Sequence, residues 1–140
     1  MKRSAALVPL GHDHHQALEA ALRLRRAASD DLESAVARFH EFWSQHGGRH
    51  FEIEEQLVLP ALEGDQRWDE MADRVRREHV EIRARAEDLE TLDDAHELGR
   101  LLHDHVRFEE RELFELLEAR LEPDRLSRLG LDIEHAESRP

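Results

Sequence analysis

The sequence predicts an all-α protein: an up-down-up-down four-helix bundle with a short C-terminal helical turn. Three observations lead there. Ala, Leu, Glu and Arg dominate a composition with no Tyr and few Gly or Pro, which favours helices over sheets. Apolar residues recur at helical spacing in four long stretches. The breaks between those stretches are short, and short connections force neighbouring helices to run antiparallel.

Each element has its own signal. Pro9 opens a first helix to about Ala28, with Leu10, His14, Ala17, Leu18, Ala21 and Leu24 on one stripe. Asp30 and Glu33 are spaced as a capping box that starts a second helix reaching about Leu62. Its inward face reads Phe39, Phe42, Trp43, His46, His50, Ile53, Leu57 and Ala61, and Gly47-Gly48 falls midway, where a bend or a close neighbour is expected. Glu63-Gly64-Asp65 is a turn. A third helix spans about Gln66 to Leu92, with Met71, Val75, His79, Ile82, Ala86 and Leu89 inward. The fourth follows the break at Thr91 to Asp94 and ends near Leu121, carrying Leu98, Leu101, Leu102, His105, Phe108, Leu113, Leu116 and Leu117. Asp124 to Leu129 forms the short turn, stopped by Gly130, and Glu134 to Pro140 carry no stripe and are expected to fray. One domain covers residues 1–140, with the bundle at about 7–121 and an extension at 122–140.

Composition removes several classes of function. A formal net charge of -13 leaves no basic face for nucleic acid, and anionic membrane surfaces are disfavoured for the same reason. The chain has no Cys, so disulfides, thiolate zinc sites and iron–sulfur clusters are excluded. The apolar run from Ala5 to Leu10 is short and broken by Pro9, a poor signal peptide, and no stretch approaches the roughly 20 apolar residues of a membrane span. A cytoplasmic location, as a monomer or homodimer, is expected.

The informative feature is an internal repeat. The stretch from His50 to Leu62 overlays that from His105 to Leu117, and Asp13-His14 before Leu18 is echoed by Glu78-His79 before Ile82. Four residues advance a helix by about 400°, so His50 and Glu54 share a face, as do His105 and Glu109. Both pairs lie on apolar stripes. Burying an ionised carboxylate without a partner costs several kcal/mol at least, so two inward glutamates demand a cation between them. Imidazole with carboxylate suits iron, manganese, zinc or copper, and four His with two Glu suit two ions. The helix-one candidate is His14 or His15, with His12 in the same turn; His14 is better aligned with the stripe. A metal-free bundle in which the buried His and Glu hydrogen-bond to one another is the plain alternative.

These residues, Asp13-His14-His15, His50 through Glu54-Glu55, Glu78-His79 and His105 through Glu109-Glu110, resemble the hemerythrin-like HHE cation-binding domain family. The resemblance implies a bundle holding two non-haem iron ions (Fe2+/Fe3+), oxo- or hydroxo-bridged, with a helix-one histidine, His50, Glu54, His79, His105 and Glu109 as metal-binding residues. Glu54 and Glu109 would bridge the ions. It further implies a partner that is a small diatomic molecule or peroxide: dioxygen, peroxide or nitric oxide is reacted with or sensed, in iron homeostasis or a stress response.

The chain departs from oxygen-carrying relatives at one point. Their third helix supplies His-x-x-x-His, whereas Arg83 stands four residues after His79. A di-iron oxidoreductase acting on peroxide, nitric oxide or ferrous iron is therefore one expectation, and a reversible oxygen-binding or iron-storage module without turnover the other. Arg83 is expected to reach outward and pair with Glu87. Phe51, Phe108, Phe114 and Trp43 are read as core, or as the lining of an apolar pocket.

Overall fold

The computed structural model describes residues 3–139; the initial Met1-Lys2 and Pro140, the last residue of the expected frayed tail, lie outside them. Those described are helical or in turns, with no strand among them. Ser4 accepts from the Ala6 amide and starts a 3₁₀ turn, Ala5–Leu7, that leads into α1, Val8–Arg26. A second rod is continuous from α2, Leu32–Phe42, through a π turn, Trp43–Gly47, then α3, Gly48–Ile53, a second π turn, Glu54–Val58, and a 3₁₀ turn, Leu59–Leu62. α4 is Gln66–Glu87. The fourth rod joins α5, Leu92–Phe108, a π turn, Glu109–Leu113, and α6, Phe114–Arg120. α7, Pro123–Glu137, follows.

Two apolar clusters fill the bundle, one at each end. Leu10, Val58, Leu59, Trp68, Val75, Phe108, Leu113 and Leu117 belong to the first, and Ala17, Leu24, Phe39, Ile82, Leu98 and Val106 to the second. Reading each rod in chain order gives its direction. α1 and α4 run from the first cluster to the second, and the second and fourth rods run back. That is up-down-up-down, as the short connections require. At the end nearest Gly99, α1 and α5 approach closely: a Cβ on Gly99 would stand 2.7 Å from the Ala21 carbonyl oxygen and 2.9 Å from the Arg25 nitrogen.

The structure corrects several expectations. Asp31 is the N-cap of α2 and bonds back to the Ala28 amide, so Asp30 and Glu33 form no capping box. The capping box lies at Thr91 and Asp94, and α4 ends at Glu87. Val58 and Leu59 are buried where Leu57 and Ala61 were expected, because a π turn adds a residue per turn and rotates the stripe that follows it. On the fourth rod Leu113 and Leu117 are buried as expected, with Phe114 beside them, and only Leu116 is half-buried. At Gly47 the missing Cβ leaves room for the Trp43 and Phe42 rings of its own rod, the nearest atoms to that position.

The largest correction is α7. It continues through Gly130, with Leu129 and Ile133 buried in the first cluster and Leu126 and Ala136 half-covered. Gly130 reads as a stop because glycine weakens helices by roughly 1 kcal/mol. Here it is a contact point: a Cβ would stand 2.8 Å from Ala6 Cα. The far end of α7 is tied to α3, where Arg49 Nη1 donates to the Glu137 carbonyl at 3.0 Å. No helix among the described residues is long and apolar enough to cross a membrane.

Candidate metal centre

Seven polar side chains are buried among the described residues: Asp13, and a layer of six between the two apolar clusters, His14 on α1, His50 and Glu54 on the second rod, His79 on α4, and His105 and Glu109 on the fourth. Both glutamates are completely covered. Each sits where an α-helix gives way to a π turn, so the two halves of the repeat share the same local backbone. π turns recur at functional positions because they re-aim side chains without ending the helix. His15 and His12 are exposed on α1 and stand outside the cluster, as do His40, His96 and His103.

The six side chains form two groups. His14, His50, Glu54 and Glu109 make one, and His79, His105 and the same two glutamates make the other, each with candidate ligand atoms within 4.8 Å of one another. Each carboxylate divides its oxygens. Glu54 sets Oε2 3.0 Å from His50 Nε2 and Oε1 3.1 Å from His79 Nε2. Glu109 sets Oε1 2.8 Å from His14 Nε2 and Oε2 3.1 Å from His105 Nε2. All four Nε2 atoms converge on the carboxylates.

The opposite face of every imidazole meets a further carboxylate. His50 Nδ1 lies 3.0 Å from Asp13, His79 Nδ1 2.6 Å from Glu55, His105 Nδ1 2.8 Å from Glu78 and His14 Nδ1 3.3 Å from Glu110. Helix by helix these contacts form a closed ring: α1 to the second rod, second rod to α4, α4 to the fourth rod, and fourth rod back to α1. A carboxylate on Nδ1 fixes the tautomer that offers Nε2 to a metal and makes it a stronger donor. These four acids stand in the motifs that carry the resemblance, but the sequence assigns them no role, although each is the immediate neighbour of a candidate residue.

Arg83 takes a different partner from the one expected. Its guanidinium donates twice to Glu55, at 2.8 and 3.1 Å, and lies over the Phe51 ring. It contributes no ligand atom. Phe51 in turn stacks on His79, with centroids 3.7 Å apart, and Phe114 lies parallel to His14 at 5.4 Å. These rings pack against the imidazoles.

The electrostatics show what the cluster needs. Against the opposing effect of burial, hydrogen bonds to Glu109, Glu110 and Glu54 push His14 up to about 10. Burial likewise opposes His105, which Glu109 and Glu78 push up to about 9, and His50, which Glu54 and Asp13 hold well above its ordinary value. Glu54 falls to about 2, against burial and the charge of Glu109, because His50 and His14 face it. Without metal, protons on these three histidines offset the carboxylate charge; divalent ions would replace those protons. That compensation is incomplete: His50 Nε2 and Glu54 Oε2 in one group, and His105 Nε2 and Glu109 Oε2 in the other, are buried with no hydrogen bond. One orphaned nitrogen and one orphaned oxygen per group fit a cation in each. The plain alternative, a fully satisfied His–Glu network, leaves those atoms unexplained.

Neither the curated proteins nor the solved structures searched contain a match to this chain. The model of the hemerythrin HHE cation-binding domain matches residues 7–122, a span that takes in all six side chains of the buried layer and the four acids behind them. The chain belongs to the hemerythrin HHE cation-binding domain family.

Proposed function

We propose that the buried layer holds two iron ions and that the protein reacts with or senses dioxygen, peroxide or nitric oxide. The observation that carries this is the division of both glutamates: each sends one oxygen to each group, the arrangement two bridged ions require. His14, His50, Glu54 and Glu109 would hold one ion, and His79, His105, Glu54 and Glu109 the other. Nitrogen and oxygen donors without thiolate suit iron, manganese and zinc, and membership of the HHE family favours iron.

Bound iron would supply electron transfer and open coordination positions for a small ligand. This chain's own residues supply the rest. Asp13, Glu55, Glu78 and Glu110 orient the imidazoles, and the two apolar clusters exclude bulk water on either side. Only two histidines face each group, and Arg83, held by Glu55, adds none. That leaves room for an exogenous ligand and favours reaction over simple oxygen carriage.

Reconstitution with ferrous iron under nitrogen, followed by air, tests the reading. About two iron atoms per chain should be retained, with near-ultraviolet ferric absorption appearing on oxidation. A stoichiometry of zero or one overturns it. Stopped-flow mixing with oxygen then separates the roles: a reversible spectral change supports carriage, and irreversible oxidation or consumption of peroxide supports reaction.

A further inference from the structure

The ring of carboxylates is regular in all but one place. Glu55 is held by Arg83, Glu78 accepts from Arg74 Nε at 3.0 Å, and Glu110 accepts from Arg107 Nη1 at 3.2 Å. Asp13 has no arginine within ion-pair distance among the described residues. Its neighbours are His46, half-exposed, with Nδ1 3.7 Å away, and Glu137 at the end of α7. A Glu137 carboxylate oxygen lies within 4.8 Å of both the Asp13 and His50 ligand atoms, and Glu137 Oε1 is buried without a partner. α7 lies beyond the span that matches the family.

An arginine on a carboxylate draws its negative charge away from the imidazole it faces. A second carboxyl cannot do this. Ionised, it adds negative charge; protonated, it donates a neutral hydrogen bond that draws off less charge than a guanidinium, and either way Asp13 remains the strongest acceptor of the four. Arginine therefore backs both imidazoles of the His79/His105 group, but only one of those in the His14/His50 group. We propose that the two metal positions are unequal: Asp13 meets the Glu137 carboxyl of α7 where the other three acids meet an arginine, so the ion held by His14 and His50 is bound more tightly than the ion held by His79 and His105. The inference rests on the two-ion reading above, and Glu137 matters only as the occupant of the place that an arginine takes beside the other three acids.

Anaerobic calorimetric titration of the full chain with cobalt(II), a redox-stable stand-in for ferrous iron, should show two binding steps. Glu137→Arg gives Asp13 the cation its three counterparts have. It should weaken the tighter step about 10- to 100-fold, the usual effect of altering a residue behind a metal-binding histidine. Glu137→Gln should leave that step close to the wild-type value. Arg74→Gln, at a half-exposed site on the other side of the layer, should strengthen the weaker step. Two steps that neither Glu137→Arg nor Arg74→Gln moves would overturn the proposal while leaving the two-ion reading intact. Absence of cobalt binding by the wild-type chain would defeat that reading instead. Helical circular dichroism of each variant separates misfolding from a change in affinity.

Discussion

Glu54 and Glu109 carry their charge in a place water does not reach, and this dictates how the metal-free protein responds to pH. Glu54, depressed to about 2, contributes stability that is complete above its unfolded value near 4.5 and lost as pH falls through about 2. His14 and His105, raised to about 10 and 9, contribute stability that is complete below their unfolded value near 6.5 and lost as pH rises through 9 to 10. The melting temperature of metal-free protein should therefore be highest between about pH 4.5 and 6.5 and decline steadily toward pH 10. Metal-loaded protein should lack the alkaline decline, because its histidines are already deprotonated. Thermal melts of both forms across that range check this. At this scale the six buried residues were legible in the sequence, since a histidine and a glutamate four apart on an apolar stripe announce themselves. His14 was not separable from His15 by spacing alone; burial of one and exposure of the other distinguish them. Arg83 was misjudged because its partner, Glu55, lies on another rod, beyond the reach of helical spacing.

At the scale of the element, local geometry decides what spacing cannot. The four helical stretches were evident from periodicity, but the π turns were not, because nothing in a 3.6-residue pattern marks where one residue too many enters a turn. After Glu54 burial consequently falls on Val58 and Leu59 in place of Leu57 and Ala61, whereas Leu113 and Leu117 after Glu109 stay inward. α7 was curtailed at Gly130 for a related reason: propensity weighs a glycine without knowing what presses against it. Gly99 shows the same principle within the bundle and yields a test. Its replacement by Ala would drive a methyl group into backbone atoms of Ala21 and Arg25, which cannot rotate aside. Overpacking of this kind costs about 1–3 kcal/mol, so Gly99→Ala should lower the unfolding free energy by that amount, read as a lower urea midpoint at an unchanged slope. The polar layer lies toward the middle of the bundle, and metal stoichiometry should be unchanged.

For the molecule as a whole, two apolar clusters stand on either side of the buried polar layer, and most of their contacts are among their own apolar side chains rather than with it. Removal of metal by a chelator should leave helical circular dichroism intact while lowering the melting temperature. The loss is a linkage effect, about 2.7 kcal/mol for free metal at a hundred times its dissociation constant, and it should vary with metal concentration. The bundle topology was legible throughout, because short connections admit few arrangements. The ring of carboxylates that crosses it was not, since each contact joins two different rods. That ring has a consequence for folding as well as for chemistry. Four helices joined by short loops can circulate around a common axis in either sense, and apolar stripes alone discriminate weakly between the two. A carboxylate on each rod, set to meet a histidine on the next, is satisfied in only one sense of circulation. In the mirror arrangement each acid would lie away from its imidazole, and the buried Nδ1 atoms of His14, His50, His79 and His105 would lose their partners. The ring is thus a handedness selector, written into the chain at Asp13, Glu55, Glu78 and Glu110.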